Sequence, residues 1–158
     1  MDLDQQIQTL INNAPQDGTT PLIVDAIGPV LKRLAQQLQH LDYYLLQTLD
    51  ERWVLTTLSH RMRPDMSKRV IYAFSSHTDA LSFRTPKAPE HAIAVPVTHI
   101  LFQMIAMPYL DSVVFFESGG NLATGTEIMR EQVQDLFRSA LEEYRVSRPS
   151  GTIPPDIA

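Results

Sequence analysis

The chain has no cysteine. That excludes disulfides, thiolate nucleophiles and cysteine-held zinc or iron–sulfur centres. It also lacks an unbroken apolar run long enough for a membrane span. The longest stretch without Asp, Glu, Lys or Arg covers residues 92–110 and is interrupted by Pro96, Thr98, His99, Gln103 and Pro108. It reads as buried core, and no membrane contact is expected. An excess of basic charge is missing as well. Lys and Arg number 13 against 18 Asp and Glu, a formal net charge of −5, which argues against a surface that as a whole binds nucleic acid or anionic lipid. Residues 1–7, M-D-L-D-Q-Q-I, are acidic and polar. A chain without a cleavable secretory signal, located in the cytoplasm, is therefore expected.

What the chain has is a globular composition. Its 158 residues are 44% hydrophobic and 20% charged, enough for one core and too apolar for disorder. One domain is expected over residues 1–145, followed by a flexible tail at 146–158. Leu3, Ile7, Leu10 and Ile11 share one face of a first helix. Pro21 suits the start of a second after Thr20. The stripe Ile23, Ile27, Val30, Leu31, Leu34, Leu38 and Leu41 continues it, with a kink or fresh start predicted at Pro29. Residues 43–49 and 52–58 read as a hairpin closed by Asp50 and Glu51, and residues 59–67 as a polar connection. A third strand follows at 70–74. Ser76 and Asp79 form a capping pair for a short helix through Phe83. A fourth strand at 93–95 ends at Pro96, and Thr98 is placed to cap a buried helix over 99–107.

The most informative unit spans residues 112–141. A strand, S-V-V-F-F-E, runs through a glycine turn into an amphipathic helix with Met129, Val133, Leu136, Phe137, Ala140, Leu141 and Tyr144 on one face. Thr124 and Glu127 have the spacing of a capping box for that helix. The expected architecture is an α/β (α+β) domain. A mixed sheet of about five strands begins as an antiparallel meander, and the helices pack on the sheet.

Three segments, Y-A-F-S-S-H-T-D-A-L at 72–81, V-P-V-T-H-I-L at 95–101 and D-S-V-V-F-F-E-S-G-G at 111–120, give residues 50–145 a pattern that resembles the SseB-like family of small α/β domains. That family has an Asn-Pro-Gly turn where this chain has Glu117, Ser118, Gly119 and Gly120. The resemblance implies an accessory or binding role connected with secretion or the support of a partner enzyme. It carries over no catalytic residue.

Two segments are candidate sites. The turn containing Ser118, Gly119, Gly120, Asn121, Thr124, Gly125 and Thr126 would hold a small anionic ligand if it opened onto a helix N-terminus. It has no Gly-Lys-Ser/Thr and no Gly-x-Gly-x-x-Gly, and Glu117 and Glu127 flank it. A structural turn is the competing reading. His60, Arg61, Arg63, Lys68 and Arg69 make a basic patch opposed only by Asp65. The plain reading is a solvated connection; as a site it suits an acidic protein partner better than nucleic acid, because no aromatic for base stacking lies within it.

Other combinations carry little chemistry. Ser75, Ser76, His77 and Asp79 contain the residue types of a triad, but capping explains Ser76 and Asp79 without catalysis. His40, His60, His77, His91 and His99 show no metal-ligand spacing. The carboxylate pairs Asp50–Glu51 and Glu142–Glu143 have no apolar setting that would raise a pKa. Trp53, Tyr43, Tyr44 and Tyr109 exceed what the core is expected to hold, and an exposed patch of them would suit a protein partner or a homodimer. The expectation is a non-enzymatic interaction or accessory protein without cofactor or metal, with the anionic-ligand site as the alternative.

Overall fold

Asp2 starts the first helix. Its carboxylate accepts the Gln5 N–H at 2.8 Å, and the Gln5 side chain accepts the Asp2 N–H at 3.0 Å, a reciprocal box that satisfies otherwise unpaired donors. In the computed structural model, which describes residues 2–60, 63–84, 89–117 and 125–147, this helix is α1 (Leu3–Asn13). The tail at 148–158 lies outside the described residues.

Helix α2 (Thr20–Gln36) begins at a second cap. The Asp17 carboxylate accepts the N–H groups of Thr19 and Thr20 at 2.9 and 2.7 Å and the Thr20 hydroxyl at 2.7 Å. One helix passes through Pro29, so no fresh start occurs there. An interior proline costs about 3 kcal/mol. Val24, Ile27, Val30, Leu31 and Leu34 are buried on both sides of it, and each such side chain contributes about 1.5–3 kcal/mol. Two members of the expected stripe, Ile23 and Leu41, are exposed. Helices α1 and α2 approach closely at Gly28, where a Cβ would stand 3.1 Å from Ile7 Cγ2.

Among the described residues there are six strands in two sheets, one more strand than expected. Strand β1 (Asp42–Gln47) does not form the expected hairpin ladder. The chain does reverse at Asp50 and Glu51, with Glu51 at φ 62°, but only the single bridge Gln47–Trp53 connects the two arms. The backbone of β1 pairs instead along its whole length with β4 (His91–Pro96), antiparallel from Asp42–Pro96 to Gln47–His91.

Strands β2 (Thr56–His60) and β3 (Arg63–Ala73) form the antiparallel hairpin. They run through what was expected to be a polar connection, because ladder bonds between backbones are indifferent to side-chain polarity. Strand β3 lies parallel to β5 (Ser112–Phe116), and β5 pairs antiparallel with β6 (Gly125–Met129), giving the order β2-β3-β5-β6. The short helix α3 (His77–Ser82) follows β3, α4 (Val97–Ile105) follows β4 and α5 (Arg130–Ser147) follows β6.

The strand alternation divides the sheet into two faces. Ile71, Ala73, Val113, Phe115 and Ile128 join residues of α2, α4 and α5 in the main core. Phe74 and Phe116 point the other way and pack with Leu46 and Ala80 in a smaller cluster. The protein is thus an α+β domain with helices on the sheet. Among the described residues no helix is long and apolar enough to cross a membrane.

Candidate functional site

The start of α2 leaves two large apolar side chains outside the core. Leu22 and Ile23 are 45% and 39% exposed, because they fall on the side of the helix turned away from the Val24–Ile27–Leu31 stripe. Beside them runs the C-terminal half of α5, where Leu141 and Tyr144 are half-buried. Gly18, Thr19, Leu22 and Ile23 on one side and Leu141 and Tyr144 on the other enclose a groove of about 620 Å³, and among the described residues Arg138 and Glu142 are its charged members. Asp17 fixes this geometry, since its carboxylate pins the two residues at which α2 begins. What the groove offers a partner is apolar area, at about 25 cal/mol per Å² removed from water.

The structure separates the basic residues. Strand alternation sends Lys68 and Arg69 to opposite faces. Lys68 is ion-paired with Glu127, whose carboxylate also accepts the Ser112 hydroxyl at 2.6 Å. Lys68 first and Ser112 second hold the Glu127 carboxyl below the usual carboxylate range. Arg69 is exposed, and its backbone N–H donates to Asp111 Oδ2 at 2.7 Å. His60 and Arg63 are register partners at the hairpin end. Arg61 lies outside the described residues.

The glycine turn does not lead into a helix. Ser118, Gly119, Gly120, Asn121 and Thr124 lie outside the described residues, but Gly125 and Thr126 belong to β6 and α5 begins only at Arg130. The expected capping box of Thr124 and Glu127 is therefore corrected: Glu127 is a strand residue. Period-two burial decided the outcome, with Ile128 in the core while Glu127 and Met129 point out. The N-terminus of the helix expected to follow Thr124 lies instead at Arg130, beyond β6.

At α3, Ser76 Oγ accepts the Asp79 N–H at 3.1 Å, the expected cap. The His77 ring packs edge-on against Tyr44 at 5.8 Å. Among the described residues no group of histidines and carboxylates could hold a metal ion. Of the aromatic residues expected in excess, Tyr43 is fully buried, while Trp53 and Tyr109 border a second groove of about 530 Å³ with Glu51 and Arg52.

Three polar arrangements escaped the sequence reading. Buried Gln6 joins α1 to Leu41 and Thr98. Arg130 donates from Nε to the Met104 carbonyl at 3.0 Å and from Nη2 to the Ile105 carbonyl at 2.8 Å, closing the end of α4. Tyr43 donates to Glu117 Oε2 at 2.8 Å, which also accepts the Gln39 N–H at 3.1 Å, and His40 Nε2 lies 3.1 Å from the Glu117 carbonyl. Burial, then the Glu117 hydrogen bond and charge, pushes the Tyr43 phenol above its ordinary value. A general acid or base needs a pKa moved towards neutrality. This shift goes the other way, so the group is a clasp between β1 and the end of β5. In each case the partners are far apart in sequence, and no local pattern marks them.

No protein-family model matches the chain, and a search of curated proteins finds no match either.

Proposed function

We propose that this chain is a non-enzymatic accessory domain of the cytoplasm that works by binding protein through the α2–α5 groove. One observation carries the reading. Leu22 and Ile23 expose apolar surface directly beside Leu141 and Tyr144 in a concave groove, and grouped apolar surface of this kind marks docking sites rather than ordinary exterior. The pattern shared by residues 50–145 with the SseB-like family points the same way, towards support of another protein.

Crosslinking and co-purification test this. The wild-type chain is expected to carry a bound protein, whether a partner or a further copy of itself. The double variant Leu22→Asp, Ile23→Asp is expected to lose it while keeping its stability within about 0.5 kcal/mol, as exposed positions do. A wild-type chain that crosslinks to nothing, its own copies included, overturns the reading.

A further inference from the structure

The charges beside the groove select among occupants. The α2 wall, formed by Gly18, Thr19, Leu22 and Ile23, is uncharged, and among the described residues α5 contributes one cation, Arg138, and one carboxylate, Glu142. Both are exposed. They stand one helical turn apart, about 6 Å along the axis. Arg138 makes only an exposed contact, 3.3 Å from Asp135 on its own helix, and such pairs are worth little. An acidic partner segment would meet Glu142 with like charge, and a basic one would meet Arg138. The complementary surface presents the same two charges at the same spacing in reverse order around an apolar centre. Helix α5 of another copy of this chain, laid antiparallel, is such a surface.

We infer that the groove is the twofold interface of a homodimer, with Arg138 of each copy facing the partner's Glu142 and Leu22, Ile23 and Leu141 covered between them. This rests on the groove being a protein-binding site and names its occupant. A twofold axis near position 140 of α5 makes every contact twice, so residue i meets j and j meets i. The Arg138–Glu142 pairing then occurs at both ends of the apolar seam. Each copy supplies both the exposed leucine and the groove that receives it.

Sedimentation equilibrium over a range of concentrations, with four variants, tests the inference. The wild type is expected to approach twice 17.9 kDa. Leu22→Asp is expected to stay monomeric. Arg138→Glu alone and Glu142→Arg alone each place like charges at both ends of the seam, and each should weaken association about tenfold at low salt, with the loss shrinking in 1 M salt. The double variant Arg138→Glu, Glu142→Arg restores both pairs and should return to within about threefold of the wild type. Circular dichroism of each variant confirms folding.

A dimer that Leu22→Asp leaves intact overturns the inference, as does a charge swap that fails to restore association. A wild type that stays monomeric overturns it too. In that last case crosslinking separates the two claims. A different protein captured by the wild type and lost in Leu22→Asp leaves the groove a docking site with another occupant, and no capture removes both claims.

Discussion

Gln6 caps helix α4 through a residue 92 positions further along the chain: its side-chain oxygen accepts the Thr98 N–H at 3.1 Å and the Thr98 hydroxyl at 2.8 Å. Its amide donates to the Leu41 carbonyl at 2.9 Å. The first N–H groups of α4 have no partner within their own helix, and the N-cap position is held by Pro96, whose side chain makes no cap. A glutamine from α1 supplies what the local sequence does not. Gln6→Leu removes the acceptor and leaves the buried Thr98 N–H and hydroxyl unpaired, while the Leu41 carbonyl keeps the Val97 N–H. An unsatisfied buried group costs about 1–3 kcal/mol, so urea denaturation should show a loss of about 2–4 kcal/mol, larger than that of the exposed control Gln8→Leu.

The Tyr43–Glu117 clasp gives stability a dependence on alkaline pH. The folded-state pKa of Tyr43 is raised above the ordinary 10.0, with burial as the leading cause. The folded chain therefore holds the phenolic proton more tightly than the unfolded chain. Its contribution is fully present below about pH 10 and is lost as the pH rises further. Tyr43→Phe is expected to cost about 1–3 kcal/mol at pH 7, because Glu117 Oε2 loses a buried donor. The gap between wild type and variant should narrow between pH 9 and pH 11. A gap that stays constant across that window would place the clasp elsewhere.

Asp17 acts at the acidic end. Hydrogen bonds from the Thr20 N–H, the Thr20 hydroxyl and the Thr19 N–H lower its carboxyl from 3.8 to about 2. A depressed carboxylate contributes stability above its unfolded value and loses it as the pH falls through the folded one. Asp17→Ala should lower the melting temperature at pH 6, and the difference should shrink below pH 3.8 and fade near pH 2. Calorimetry at three pH values is sufficient. The same variant loosens the start of α2, so it should also weaken docking at the groove that Thr19 and Leu22 line.

Gly125 tests the corrected reading of the glycine turn. It sits in β6, where a Cβ would stand 2.8 Å from Val114 Cγ1 and 3.1 Å from Phe116 Cε1. The residue is small because the neighbouring strand is close, with no ligand required. Gly125→Ala is expected to destabilise the fold by about 1–3 kcal/mol through overpacking. A stability unchanged within error, together with lost phosphate binding, would favour the anion site instead.

Much of the architecture was legible where burial and local chemistry agree. The Asp50–Glu51 reversal, the Ser76 cap and the buried α4 segment all occur. Local signals misled where longer contacts overrule them. The S/T-x-x-E spacing of Thr124 and Glu127 suggested a helix, but Ile128 gains more by facing the core from a strand beside β5. Residues 43–49 suggested a hairpin, yet β1 finds a full ladder with β4, more than forty residues later. Leu22 and Ile23 were the hardest to read. An apolar residue on α2 is expected to be buried, and only the direction of the helix against α5 turns these two outwards. The sequence pointed to Trp53, Tyr43, Tyr44 and Tyr109 for an exposed apolar patch, whereas the groove proposed for docking is lined by Leu22 and Ile23.

If the groove is a docking site, Leu22 touches another protein. A photoreactive leucine at position 22, illuminated in the otherwise unaltered chain, tests it directly. The control is the same label at Leu49, which is 69% exposed and lies outside the groove. A discrete covalent adduct is expected from position 22, mapping to α5 of another copy of the chain, and none from position 49. Equal, diffuse labelling from both positions, or no adduct from position 22, would contradict it.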